Sequence, residues 1–147
     1  MNRKIIWWVL IIIWCSFIFY QSGKPAVESS KSSMYIVSCM NSILGSVIGP
    51  GNFEVTETPI RKTAHVMEYL VLGMLLFNGF IRDGQIRRTF GFSAGTGILY
   101  AITDEVHQHF VPGRAMRAFD VLIDTIGVFL GIMLVYGIYK RKNKAVS

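Results

Sequence analysis

The sequence lacks the patterns that mark a disulfide-rich secreted protein, a metalloprotease or a nucleic-acid-binding domain. Its two cysteines are too few for a disulfide framework, and Cys15 lies inside an apolar run away from Cys39, so we expect no bridge. There is no HExxH motif, no paired-cysteine spacing and no serine or cysteine nucleophile motif. The 15 basic residues exceed the 9 acidic ones but form short clusters between apolar segments. We therefore predict no nucleic-acid partner.

The apolar content indicates a membrane protein. Hydrophobic residues make up 52% of the 147 positions, which is high for a soluble domain of this size. We predict an all-α integral membrane bundle, formed by a single domain over residues 1–147. The predicted transmembrane helices cover residues 5–20, 59–81, 89–110 and 115–139, four in all, and an amphipathic interfacial helix covers residues 34–48.

A cleavable signal peptide is the rival interpretation of the first span. Its uncharged core, residues 5–20, is long for such a peptide, and the residues that follow lack a small-x-small cleavage pattern. Trp14 before Cys15 also differs from a lipoprotein cleavage site. We therefore interpret the segment as an uncleaved helix, followed by a polar, serine-rich loop over residues 21–33.

Residues 34–48 have helical periodicity but are too polar and too short to span a membrane. Apolar residues recur on one face, and Ser38, Asn41, Ser42 and Ser46 lie opposite. Two interpretations stay open. The helix either lies on the membrane or caps the bundle, or it packs under a loop as part of the core.

The basic residues indicate the orientation. With the N-terminus inside, nine Lys and Arg residues fall on the inner side in three short segments, and six fall outside. The acidic residues are distributed the other way, with only Asp83 inside. The positive-inside rule then predicts a multi-pass protein with both termini in the cytoplasm. The outer ends are the start of the second span, the end of the third and the start of the fourth.

Each of these outer ends carries a polar cluster. The clusters are Lys62/His65/Glu68, Asp104/Glu105/Gln108 and Asp120/Asp124. Ionisable groups at the edge of a bilayer are costly to place, so they usually mark a site. We therefore predict that the three clusters meet near the outer surface, with the acidic residues paired to Lys62, His65 and Arg114.

Three motifs occur between residues 62 and 131: K-x-x-H-x-x-E-Y from Lys62, D-E-x-x-Q-x-F-x-P-G-R from Asp104, and D-x-x-x-D-x-x-G-x-x-x-G from Asp120. With this combination the chain resembles the VanZ-like family, small bacterial membrane proteins named for a teicoplanin-resistance protein. One difference is Asp124, where many relatives carry asparagine. The resemblance implies a location in the bacterial cell membrane and a link to glycopeptide, especially lipoglycopeptide, susceptibility. It implies no particular reaction or substrate.

We predict a polar pocket at the outer leaflet that binds or modifies a membrane lipid, a cell-wall precursor or a glycopeptide antibiotic, and so affects teicoplanin susceptibility. Lys62, Arg114 and Arg117 suit phosphate or carboxylate groups, Arg114 through a bidentate contact. Apolar walls are expected from Tyr35, Tyr69, Phe110 and Phe119. The predicted ligand-binding residues are Lys62, His65, Tyr69, Asp104, Glu105, Gln108, Arg114, Asp120 and Asp124.

Other interpretations stay open. A membrane-embedded hydrolase or transferase acting on a lipid-linked substrate would use His65 with Asp104 or Glu105 for acid–base chemistry. Histidines and carboxylates are also metal-ligand types, but His107 and His109 cannot share a helix face, so we predict no metal and no cofactor. The clusters could instead form an ion-pair lock that binds nothing, and the sequence does not determine the oligomeric state. A purely structural role is favoured individually for Glu68, His107, His109 and Arg117.

Overall fold

The chain folds into a bundle of α-helices. The computed structural model describes residues 3–49, 55–81 and 85–144, and every regular element within those ranges is helical. The helices are α1 (Arg3–Ser22), α2 (Ala26–Ile48), α3 (Glu57–Phe80), α4 (Ile86–His109) and α5 (Ala118–Lys144). The all-α prediction is therefore confirmed for the described part of the chain.

Three of these helices are long and apolar enough to cross a membrane. The spans are Lys4–Ser22 in α1, Glu57–Phe80 in α3 and Ala118–Asn143 in α5. Large apolar side chains on the outside of the bundle are exposed, for example Ile12 on α1 and Met133 on α5. Exposed apolar surface of this kind is what a lipid-facing helix presents. The helices thus support a membrane-embedded bundle.

The predicted span over residues 89–110 corresponds to α4, which is not among the three apolar spans. Its glycines and the ionisable residues of its last turns make it more polar than its neighbours. Its 24 residues would still reach about 36 Å. Phe92 and Leu99 are exposed on its outer face. That α4 also crosses the membrane remains a prediction.

Helix α2 is longer than predicted. The loop expected over residues 21–33 is wrong from Ala26 onward, because the helix begins directly after Pro25. Proline is well suited to a helix start, since its fixed φ is close to helical and it has no N–H to satisfy. The serines do not oppose the helix, because the Ser33 hydroxyl donates back to the Ser29 carbonyl at 3.2 Å. The interfacial position of α2 remains a prediction.

The most extensive contact in the bundle joins α3 to α5. It depends on glycines: a Cβ on Gly127 would lie 2.6 Å from the carbonyl oxygen of Val66, and one on Gly131 would collide with the carbonyl of Leu70. Glycine lets two helix backbones approach this closely. Around this contact lies the apolar core, which includes Tyr69, Leu72, Leu76, Phe77, Val128 and Ile132. The polar first turns of α3 and α5 are thereby held side by side.

Some predictions fall on residues outside the described ranges. Residues 82–84, which include the inner-side Asp83, are among them, as are residues 1–2, 50–54 and 145–147. The inside and outside assignment, with both termini in the cytoplasm, remains a prediction. The single-domain organisation over residues 1–147 also remains one.

Candidate functional site

The polar ends of four helices meet at one end of the bundle. Side chains from the end of α1, the start of α3, the end of α4 and the start of α5 contact one another there. The structure thus brings together the three polar clusters that the sequence separates. Members of each cluster border a cleft, which is lined by Ala26, Arg61, Lys62, His65, Gln108, Gly113, Arg114, Ala115, Arg117, Asp120, Ile123 and Asp124.

Two charged pairs cross from α3 to α5. The Nζ atom of Lys62 lies 3.6 Å from Oδ1 of Asp120, and Nδ1 of His65 lies 3.5 Å from Oδ1 of Asp124. The pairs are one helical turn apart on both helices, because residues three or four positions apart stack on the same face. Lys62 also lies over the ring of Phe119, 4.4 Å from its centroid. The predicted pairing of Lys62 and His65 with acidic residues is therefore observed.

Asp104 is the centre of a buried hydrogen-bond network between α1 and α4. Its side chain is only 2% exposed. Its Oδ2 atom accepts a hydrogen bond from the Ser22 hydroxyl at 2.8 Å and another from Nε2 of Gln108 at 3.0 Å. Gln108 lies one turn beyond Asp104 on α4, so the two side chains share a face. These two hydrogen bonds hold the Asp104 carboxylate in one orientation. Its other oxygen, Oδ1, takes part in neither of them.

Arg114 makes different contacts from those predicted. Its Nη1 donates to Oε1 of Gln108 and its Nε to the backbone carbonyl of Lys24, both at 3.0 Å. None of the described carboxylates lies within 4.0 Å of it, so its predicted pairing with an acidic residue is wrong. Burial and the nearby Arg61 guanidinium lower the pKa of Arg114 below its ordinary value. The side chain is oriented by neutral acceptors and keeps further N–H donors beside the cleft.

The loop between α4 and α5 positions Arg114. Gly113 has a φ of 77°, in the left-handed region that favours glycine. A Cβ at this position would also lie 3.1 Å from the Cβ of Ala26. The backbone N–H of Ala26 donates to the carbonyl of Pro112 at 3.2 Å, which ties the loop to the start of α2. The loop is therefore fixed against α2, and Arg114 follows directly from it.

Glu105 lies behind the cleft rather than in it. Its side chain is 1% exposed, and its Oε1 accepts a hydrogen bond from the backbone N–H of Arg117. This contact joins the end of α4 to the residue that precedes α5. Arg117 therefore contributes its backbone here, whereas its exposed side chain borders the cleft.

Several buried polar atoms beneath the cleft have no hydrogen-bond partner among the described residues. They belong to side chains that face one another across three helices, and they are the Tyr69 hydroxyl, Oδ1 of Asp104, both carboxylate oxygens of Asp124 and Nδ1 of His65. The 3.5 Å separation of His65 and Asp124 is long for a hydrogen bond. Polar atoms of this kind are costly to bury unless something satisfies them. His65, Asp104 and Asp124 are also the residues whose geometry could hold a metal ion.

The predicted ligand-binding residues divide into two layers. The cleft wall contains Lys62, His65, Gln108, Arg114, Asp120 and Asp124. Behind it, and buried, lie Tyr69, Asp104 and Glu105. Of the suggested acid–base residues, His65 therefore borders the cleft whereas Asp104 and Glu105 do not. Their catalytic role remains a prediction.

Most of the predicted aromatic walls lie elsewhere. Tyr35 and Phe110 are 74% and 78% exposed and do not line the cleft. Phe119 does not line it either, but its ring contacts Lys62, which does. His107 stacks on Phe19 with ring centroids 3.9 Å apart, and His109 is exposed. Neither histidine joins the polar cluster around His65.

Sequence reasoning missed two residues of the site. Ser22 contacts Asp104 from 82 positions away in the chain, and Arg61 borders the cleft one residue before Lys62. Arg61, His65 and Arg114 also line a second, adjoining cavity against α2, with Ser29, Ser32 and Ser33 on its far wall. The signal available for Ser22 was the stretch Phe19-Tyr20-Gln21-Ser22 at the end of α1, which resembles the VanZ-like family only weakly.

The fold and the site together define the class of protein, which is a helical bundle with a polar cleft at one end. Comparison with protein families identifies the family: a VanZ/LLP1 model matches residues 7–140, nearly the whole chain. The chain belongs to the VanZ/LLP1 family. Searches of curated proteins and of solved structures found no match.

Proposed function

We propose that the cleft binds the anionic headgroup of an envelope lipid or lipid-linked wall precursor at the outer face of the bacterial membrane. Through this binding the protein affects susceptibility to teicoplanin. Membership of the VanZ/LLP1 family is consistent with a teicoplanin-related membrane protein. The headgroup is proposed from the charges of the cleft.

The observation that supports this proposal is the set of four basic residues that line the cleft, Arg61, Lys62, Arg114 and Arg117. Arg61 lies close enough to Arg114 to disfavour the charge of the Arg114 guanidinium. Lys62 is partly balanced by Asp120, whereas Arg114 is held only by an amide and a carbonyl oxygen. A phosphate or carboxylate placed between the guanidinium groups would relieve this repulsion. It would also accept the remaining Arg114 donors in a bidentate contact.

The adjoining cavity extends the proposed binding region toward α2. It shares Arg61, His65 and Arg114 with the cleft and adds Lys24 from the turn after α1. Apolar side chains of α2 beside it are exposed, including Val27 and Ile36. A polar headgroup bordered by exposed apolar surface is the arrangement expected where a lipid chain leaves a binding site.

The test compares Arg114→Ala with Arg141→Ala, which removes an exposed arginine from the last turns of α5. Both variants and the parent chain are reconstituted in neutral-lipid nanodiscs, and the retention of an anionic phospholipid and of an isoprenoid diphosphate is measured by native mass spectrometry. We expect Arg114→Ala to reduce retention by about tenfold or more, as loss of a charge-assisted contact worth 1.5–3 kcal/mol implies. Arg141→Ala should retain the parent value. Equal retention by all three proteins would contradict the proposal.

The antibiotic itself is a separate arm of the same experiment. Teicoplanin is added to neutral-lipid nanodiscs that contain none of the anionic lipids, and susceptibility of cells expressing each variant is measured beside the amount of protein in the membrane. We expect the parent chain to bind the anionic lipids. We expect cells that express Arg114→Ala to lose protection against teicoplanin although the variant is present in the membrane at the normal amount. Binding of teicoplanin alone would make the antibiotic the ligand and overturn the lipid assignment.

A further inference from the structure

The buried side chains beneath the cleft form a second kind of site. His65 from α3, Asp104 from α4 and Asp124 from α5 each offer one ligand atom, and these atoms all lie within 4.8 Å of one another. Asp104 and Asp124 are 2% and 1% exposed. We propose that these three residues bind a divalent transition-metal ion, with Zn²⁺ as the preferred ion. The inference goes beyond the anion site and does not depend on it.

The ligand chemistry and spacing fit such an ion. Imidazole nitrogen and carboxylate oxygen bind Zn²⁺ at roughly 2.0–2.2 Å, so ligand atoms in a tetrahedral site lie about 3.4 Å apart. Nδ1 of His65 and Oδ1 of Asp124 are 3.5 Å apart. The third ligand atom, from Asp104, lies within 4.8 Å of the other two.

The negative charge of the two buried aspartates would also be stabilised by a cation. Both oxygens of Asp124 and Oδ1 of Asp104 lack hydrogen-bond partners among the described residues. Lys62 and Arg114 are engaged elsewhere, since Lys62 pairs with Asp120 and Arg114 contacts Gln108, which leaves His65 as the basic side chain beside these carboxylates. One imidazole can balance at most one of the two buried carboxylates, and a second buried charge without a partner is costly. A divalent ion neutralises both at once and leaves His65 as a neutral ligand.

The surroundings of Asp104 resemble the outer shell of a metal site. Ser22 and Gln108 both bond to Oδ2, which leaves Oδ1 buried and free. Hydrogen bonds of this kind orient the carboxylate oxygen that binds a metal. The Tyr69 hydroxyl is fully buried and lies close enough to Asp104 to interact with its carboxylate.

The position of the ion relative to the cleft follows from its ligands. His65 and Asp124 line the cleft, whereas Asp104 lies behind it. Three protein ligands leave a fourth position for water or another oxygen in a tetrahedral site. That position would face the cleft, where an oxygen of a bound headgroup could occupy it.

The sequence did not reveal this site because each ligand comes from a different helix. Metal motifs such as HExxH place two ligands on one helix at fixed spacing. Here the ligands are separated by 39 and 20 positions, from His65 to Asp104 and from Asp104 to Asp124. The prediction of no metal weighed His65, His107, His109 and the carboxylates as ligand types, and it rested on the missing motifs and on the spacing of His107 and His109, which lie outside the ligand group.

The experiment measures metal content of the full chain, purified without a polyhistidine tag. The variant Asp124→Asn removes a ligand, and Asp120→Asn is the matched control one turn earlier on α5, outside the ligand group. After equilibration with Zn²⁺ and removal of free ion, we expect about one equivalent in the parent chain and in Asp120→Asn. Asp124→Asn should bind Zn²⁺ at least about tenfold more weakly than the parent chain does. The parent should also gain thermal stability on addition of Zn²⁺.

A parent chain without bound metal and without a thermal shift would overturn the proposal, as would equal affinity in Asp124→Asn. Should Asp124→Asn not fold, X-ray absorption of the Co²⁺-loaded parent decides: one imidazole among oxygen ligands supports the site, and no imidazole contradicts it. Arg61→Ala separates this proposal from the anion site. It should weaken anion binding and leave the metal content unchanged.

Discussion

Gly127 on α5 lies against the backbone of Val66 on α3, so closely that a Cβ on the glycine would lie 2.6 Å from the Val66 carbonyl oxygen. Val66 directly follows His65, and Gly127 lies three residues after Asp124, so the contact is beside the two side chains that pair across the same helices. Helix packing and site geometry are therefore linked. The small residue that lets the backbones meet also sets the distance between the two ionisable groups.

Substitution of Gly127 by alanine should destabilise the protein. The added methyl group would clash with backbone that cannot move without separating α3 from α5, a cost of about 1–3 kcal/mol. We expect a lower melting temperature of the detergent-solubilised protein. The control is Gly137→Ala on the same helix, where a Cβ has no neighbour within 4 Å. That variant should be as stable as the parent or slightly more so, because alanine has the higher helix propensity. Equal melting temperatures for both variants would contradict the close packing.

Ser22→Ala should also lower the stability, for a different reason. It removes a donor from the buried Asp104 carboxylate and leaves Gln108 as its remaining partner, which typically costs about 1–3 kcal/mol. Ser16→Ala provides the comparison, since the Ser16 hydroxyl is exposed and bonds only to the Ile12 carbonyl of its own helix. Thermal unfolding of the two variants measures the difference. If Ser22→Ala unfolds at the same temperature as the parent chain, the contact between α1 and the Asp104 carboxylate does not stabilise the protein.

The pair Lys62–Asp120 tests whether the cluster is mainly an ion-pair lock. Both side chains are about a third exposed, at 32% and 30%, so solvent screens their attraction. A double-mutant cycle with Lys62→Ala and Asp120→Ala should give a coupling energy of no more than about 1 kcal/mol. The double variant should still fold and reach the membrane. A coupling of several kcal/mol, with loss of the folded protein, would favour the lock over a binding site.

How far the sequence predicts this molecule differs from element to element. The helical periodicity and the apolar runs were sufficient to predict five helices but not the start of α2. The positions of Lys62, His65, Asp120 and Asp124 near helix starts were sufficient to predict that they meet. The i, i+3 and i, i+4 spacing fixes which side chains share a face without knowledge of the fold. These residues are the ones whose pairing the structure shows.

The remainder depends on tertiary contacts that local patterns do not encode. The serine-rich segment after Pro25 reads as a loop from composition, yet it is helical and contacts the α4–α5 loop through Ala26. Arg114 was expected to pair with a carboxylate but contacts Gln108 and the Lys24 carbonyl, which only the folded chain brings near. The three potential metal ligands meet for the same reason.

The side of the membrane that the cleft faces is the claim on which the proposed function depends most. In a background with Cys15 and Cys39 replaced by serine, single cysteines are placed at Thr63 and Ala115 near the cleft and at Gln85 at the opposite end. All three positions are exposed. Labelling of intact cells with a membrane-impermeant thiol reagent then reports which positions face outward.

We expect Thr63→Cys and Ala115→Cys to react in intact cells, and Gln85→Cys to react only after the membrane is permeabilised. Reaction of Gln85→Cys alone in intact cells would place the cleft in the cytoplasm. Reaction of only one of the two cleft positions would mean that α3 and the α4–α5 loop lie on opposite sides of the membrane, and it would contradict the site itself.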